Sequence, residues 1–137
     1  MGFCHETEEG EDMSEHKWLE DLEWKLEGPL SFAEYEAGVK RTMNMEPEKC
    51  LRMLNWALSY CEEAGEAASL LKKWHFHGHE LDKEELAKEL GDGLYYITAQ
   101  AAEIGMSLED IAKINNRKLN KRFKDGFSKE DSINREV

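Results

Sequence analysis

Four acidic residues stand where helices should be burying apolar groups. In residues 55–74, NWALSYCEEAGEAASLLKKW, the side chains of Trp56, Tyr60, Ala67 and Trp74 recur at helical spacing. Glu63 falls in line with them and Glu66 lies on their flank. In the next apolar segment Glu89, Asp92 and Tyr96 follow at i, i+3 and i+7, a row beside Leu86, Leu90, Leu94, Ile97, Ala101 and Ile104. Each segment therefore offers an acidic pair spaced i, i+3. Carboxylates gathered in a partly apolar cleft repel and raise one another's pKa unless a cation neutralises them. An all-oxygen donor set suits a hard ion, so Mg²⁺ is expected, with Mn²⁺ as a substitute, rather than zinc. Glu62, Glu84 and Glu85 fit an ordinary solvated face instead.

A complementary pattern closes the chain. In LEDIAKINNRKLNKRF, Asn115 is in line with Leu108, Ala112 and Leu119, and Lys118 and Arg122 follow it at i+3 and i+7. Lys113, Arg117, Lys121 and Lys124 make this the most basic part of the sequence, although cations near a helix C-terminus are favourable for their own sake. A metal cage beside a basic row suits a polyphosphate held between them. The cation would bridge phosphate oxygens and help generate hydroxide, while Lys and Arg neutralise developing charge.

The elements that must position these residues can be read from caps and periodicity. Ser31-Phe-Ala-Glu34 is a capping-box pattern and opens a helix to about Thr42. Pro47 suits the first turn of a long helix to about Trp74. Residues 75–81 read as a turn around Gly78. Asp82-Lys-Glu-Glu85 opens a third helix to about Ile104, which Gly105 stops. Ser107 caps a last one to about Phe123, and the remainder reads as a loose polar tail. GLYYITAQA favours a strand locally, but the leucine stripe across it fits a helix far better. The expected fold class is all-α, an antiparallel four-helix-bundle type with short turns. Three regions are expected: an acidic extension over 1–28, with a short amphipathic helix at 16–26 after a disordered start, a working domain over 29–127, and the tail over 128–137.

Bulk properties narrow the function classes. The 137 residues suffice for one core, and the net charge of −12 disfavours a nucleic-acid partner. That charge is uneven: residues 1–28 hold ten acids against Lys17 and Lys25, whereas the rest carries twenty acids and sixteen bases. No run of about 18 apolar residues offers a membrane span. Nor does the start show the charge, apolar run and cleavage site of a secretory leader. Three cysteines without CxxC spacing fit a reduced, cytoplasmic setting.

At this point the sequence resembles a MazG-like nucleoside triphosphate pyrophosphohydrolase of the all-α type, in its stand-alone or phage-like branch. The motifs are Glu63-Ala-Gly-Glu66, then Glu89-Leu-Gly-Asp92, then Asn115, Lys118, Leu119, Arg122 and Phe123 in the closing pattern N-x-x-K-L-x-x-R-aromatic. SFAEYEAGVKRT is similar to the family's opening helix, and the likeness covers residues 30–127. The resemblance implies hydrolysis of a nucleoside or deoxynucleoside triphosphate to the monophosphate and pyrophosphate, a housekeeping of the nucleotide pool. It implies Mg²⁺ on Glu63, Glu66, Glu89 and Asp92, and phosphate contacts from Lys118 and Arg122. Asn115 and Tyr96 would lie near sugar or base, and Lys72 or Lys73 near the phosphate end. Glu62 would orient or deprotonate water, or a metal-bound carboxylate such as Glu63 would do so. A homodimer or homotetramer is implied as well.

Three alternatives bear on the same residues. His75, His77 and His79 have spacing that could hold a transition metal, but no cysteine or carboxylate accompanies them, and a polar turn at the mouth of the site is the simpler account. A di-iron bundle needs Glu-x-x-His, and the residues three before the histidines are Gly2, Met13, Lys72, Trp74 and Phe76. A nucleotide-sensing bundle that keeps the cage without turnover is the alternative function.

Overall fold

The computed structural model describes residues 28–133. The expectations for residues 1–15 and 16–26 lie outside them. Five helices follow in order: α1 Phe32–Thr42, α2 Lys49–His77, α3 Lys83–Glu103, α4 Leu108–Arg122 and α5 Lys129–Ile133. The fold is all-α, as expected, with no strand among the described residues.

Local chemistry accounts for the boundaries. The Ser31 hydroxyl accepts from the Glu34 backbone N–H, and the Glu34 carboxylate accepts from the Ser31 N–H at 2.9 Å, completing a capping box. Asp82 caps α3 by accepting from the Glu85 N–H at 2.9 Å. Ser107 caps α4 in a second full box with Asp110. Gly78 and Gly105 end α2 and α3 at φ of 72° and 74°, left-handed conformations that favour glycine.

Two boundaries differ from expectation. Glu48 is the N-cap of α2, so Pro47 lies just before the helix, with its carbonyl accepting from Arg52 at 2.5 Å. At the other end α2 runs on through His75 to His77, because only at Gly78 does the backbone turn left-handed. The tail is also not wholly irregular. Ser128 accepts from the Asp131 N–H at 3.0 Å and starts the short α5.

The long helices α2 and α3 pack antiparallel along their length. At one end Glu103 of α3 receives Arg52 of α2 at 2.7 and 2.8 Å, with Lys49 at 4.0 Å. Midway, Gly93 is buried beneath the Tyr60 ring, which a Cβ there would meet at 3.6 Å. Helix α1 crosses this pair and contributes Val39 to a small core with Trp56 and Ala99, ringed by Tyr35, Met43, Tyr95 and Tyr96. Glu36, buried on α1, accepts from the Leu108 backbone N–H at 2.6 Å. A carboxylate on the first turn of a helix satisfies an orphan donor and favours the dipole, so it pins α4 to α1.

The buried side of α3 follows the expected stripe only in part: Ala101 is buried and Leu86 and Ile97 are half-buried. Gly93, Thr98, Ala99 and Ala101 are buried, whereas Leu90, Leu94 and Ile104 remain exposed. At Gly93 the missing side chain leaves room for the Tyr60 ring of α2.

The ion pair sets a stability test. Arg52 and Glu103 are 13% and 6% exposed, so removing one partner strands a charge in poor solvation. Glu103→Ala is expected to lower unfolding free energy by about 3 kcal/mol in denaturant melts, whereas the apolar pair Arg52→Met with Glu103→Leu restores most of it. A loss below about 0.5 kcal/mol for the single variant, as for a surface pair, would refute the clamp.

Candidate active site

The antiparallel pairing brings one acid of α2 to two of α3. One carboxylate oxygen each from Glu63, Glu89 and Asp92 lies within 4.8 Å of the others. Among the described residues this is the one such gathering of three or more His, Cys, Asp or Glu ligands. Glu63 and Glu89 are half-buried and Asp92 is exposed at the mouth. No ion pair with Lys or Arg engages any of them in the described chain. The donors are oxygen only, which fits a hard divalent cation.

Electrostatics describe the same cluster. Burial, the Asp92 carboxylate and a hydrogen bond with Glu89 all hold Glu63 above the ordinary glutamate value of 4.5. Glu89 is raised by burial and then by Glu66, while its bond from Glu63 pulls it back down. Both glutamates therefore resist ionisation together while no cation neutralises the cluster. Glu66 stands outside the close trio but acts on both Glu63 and Glu89 through its charge.

Two residues that the sequence reading passed over border this site or hold its frame. Tyr35 of α1 is held above the ordinary tyrosine value by burial and then by the Asp92 charge, so its phenol feels the acidic cluster. Glu36, next to it, anchors α4. The only cue was the position of SFAEYEAG in an amphipathic helix, and nothing in it says which neighbour Tyr35 meets.

The remaining candidates divide by element. Glu62 is exposed on α2, one residue round from the cluster, and Lys72 and Lys73 are exposed near the end of that helix. Tyr96 is half-buried, edge-on to Tyr95 with ring centroids 5.2 Å apart, and packs against the core. Asn115 is exposed on α4. Lys118 and Arg122 line an open pocket of about 820 Å³ between α4 and α5, with Arg117, Lys121 and Phe127; none of the four cage acids lines it. The His77 and His79 rings sit 6.5 Å apart beyond the end of the core, and the three histidines do not form a ligand group.

Comparison with known proteins was made against this geometry. The model of a family described as "MazG nucleotide pyrophosphohydrolase domain" matches residues 53–127, more than half of the chain. An uncharacterized protein of Bacillus subtilis (strain 168), YvdC, is 37% identical over 71 residues, covering 45% of this chain and 67% of the relative. No solved structure matches.

The acid trio makes a prediction with a definite sign. A glutamate whose folded pKa is raised contributes stability fully present below the unfolded value of 4.5 and lost as pH rises through the folded value. In chelator, Glu63→Gln is therefore expected to melt at or above the wild-type temperature at neutral pH, with the gap closing in acid. Added Mg²⁺ should raise the wild-type Tm and not that of Glu63→Gln, following the logarithm of cation over Kd. Equal wild-type melting curves with Mg²⁺ and with chelator would exclude the cage.

Proposed function

Because the chain belongs to the MazG nucleotide pyrophosphohydrolase family, we propose that it hydrolyses a nucleoside or deoxynucleoside triphosphate to the monophosphate and pyrophosphate. The observation that carries this reading is the convergence of Glu63, Glu89 and Asp92 across α2 and α3, with Glu66 adding charge beside them. Glu63, Glu66, Glu89 and Asp92 would hold Mg²⁺, or Mn²⁺ in its place. When bound, the cation supplies charge neutralisation at phosphate oxygens and makes the attacking water more acidic.

The protein's own groups then have distinct tasks. Glu62 is exposed and borders the cage, so its carboxylate can accept a proton from water or orient it. The water oxygen forms a bond to phosphorus as the bridging oxygen between the α and β phosphates departs, leaving pyrophosphate and the monophosphate. Lys118 and Arg122 balance the charge that develops on those phosphates, and Lys72 or Lys73 reaches their terminal end. Tyr96 and Asn115 contact sugar or base. Clearing noncanonical or surplus nucleotides from the pool is the role that fits this reaction.

Pyrophosphate release from a panel of canonical and damaged triphosphates with Mg²⁺ tests the reading. Turnover of at least one is expected, and no turnover with nucleotide still bound would point to a sensor. Glu63→Gln and Asp92→Asn are each expected to lower kcat by about a hundredfold or more with helicity unchanged. Near-normal rates would remove that residue from the cage. Lys118→Ala is expected to reduce kcat/KM by about tenfold or more. Unchanged kinetics there would detach the basic row from the reaction.

A further inference from the structure

The far end of α4 gathers positive charge that no described carboxylate pairs. Arg117, Lys118, Lys121, Arg122 and Lys124 line the open pocket between α4 and α5, against Asp125 and Asp131. None of the five forms an ion pair with a described residue, although Lys40, Lys88 and Lys113 each find a carboxylate one turn away on their own helix. Like charges three and four residues apart on a helix repel, so the row is unfavourable by itself and gains from an anionic partner.

The complementary charge is concentrated elsewhere in the same chain. Residues 1–15 carry Glu6, Glu8, Glu9, Glu11, Asp12 and Glu15 and no Lys or Arg. We infer that this acidic segment docks on the α4–α5 pocket of its own chain, with its carboxylates on the five cations. The extent of the row favours a peptide over one compact anion. From Arg117 to Lys124 the cations are spread along about 10 Å at 1.5 Å per residue. Three or four residues of extended chain, at about 3.3 Å each, cover the same length.

Reach is sufficient. Helix α1 meets the first turn of α4 where Glu36 accepts from the Leu108 N–H, and Lys118 lies about 15 Å further along that helix. Gly28 stands eight residues before Glu36, a span of at most about 26 Å. The chain from Glu15 to Gly28 can extend to about 45 Å, which covers both spans together. A tether of this kind also holds the acids at a high effective concentration near the pocket. Lys118 and Arg122 are the groups assigned above to substrate phosphates, so the docked segment and a phosphate ligand exclude one another. That consequence rests on the proposed reaction; the docking rests on charge and reach alone.

Zero-length carbodiimide coupling of the full chain, which joins a carboxylate to an amine in contact with it, reads the docking. Peptide mapping is expected to link acids of residues 6–15 to Lys118, Lys121 and Lys124, with the yield falling about tenfold or more at 1 M salt, where charges are screened within about 3 Å. Arg117→Gln with Arg122→Gln keeps every reactive lysine and should lower the yield about fivefold, with circular dichroism unchanged. In an equal mixture of isotopically light and heavy protein, each linked pair should carry one label. Saturating inorganic pyrophosphate should suppress the same links. Links that persist with pyrophosphate bound would count against the phosphate roles of Lys118 and Arg122 and leave the docking standing. Links spread evenly over Lys72, Lys73 and Lys83 as well, links indifferent to salt or to the double variant, or links only between light and heavy chains would overturn the inference.

Discussion

The antiparallel register of α2 against α3 is the constraint on which the rest depends. It is fixed at one end by Arg52 on Glu103 and midway by Tyr60 over Gly93, and about one turn beyond Tyr60 it delivers Glu63 to Glu89 and Asp92. A slip of one residue would rotate Glu63 by about 100° and dissolve the cluster. The ion pair and the glycine contact are favourable, while the cluster opposes itself by charge repulsion. The scaffold thus holds together groups that would otherwise separate, which is the usual arrangement where a bound cation is to be the missing partner.

The remaining helices serve that pair. Val39 of α1 fills the space between Trp56 and Ala99, and Glu36 fixes the first turn of α4. Beyond that first turn α4 leaves the body of the bundle, since residues 113–121 are all exposed. Its basic side chains therefore face solvent and a shallow pocket instead of packing inward, and the chain separates its concentrated cations from its concentrated anions. Such a separation preserves both fields for a ligand that carries phosphate.

Much of this was legible in the sequence because it is encoded locally. Ser31, Asp82 and Ser107 announce helix starts through their own hydrogen bonds, and Gly78 and Gly105 announce stops through backbone conformation. The acidic pairs were legible because carboxylates conflict with the apolar positions around them. What escaped depends on tertiary neighbours. Tyr35 feels the Asp92 charge only through the crossing of α1, and Glu36 finds the Leu108 N–H some seventy residues away. Leu90 and Leu94 of α3 read as core by period, yet Gly93, Thr98, Ala99 and Ala101 are the residues buried. Pro47 suited a first helical turn, but its carbonyl was needed by Arg52 ahead of the cap.

Helix α2 explains why an apolar segment can carry so many acids without losing either property. Taking about 100° per residue, Trp56 and Ala67 mark one side and a stripe from Leu54 through Leu58 to Ala68 marks roughly the other. Glu62 and Glu66 fall in one of the two arcs between them, and Glu63 lies where that arc meets the buried side. A helix apolar on two sides gains from having both covered, and the described residues cover one. The acids occupy the arc that stays open under either condition. Covering the leucine stripe would therefore leave the carboxylates of that arc open.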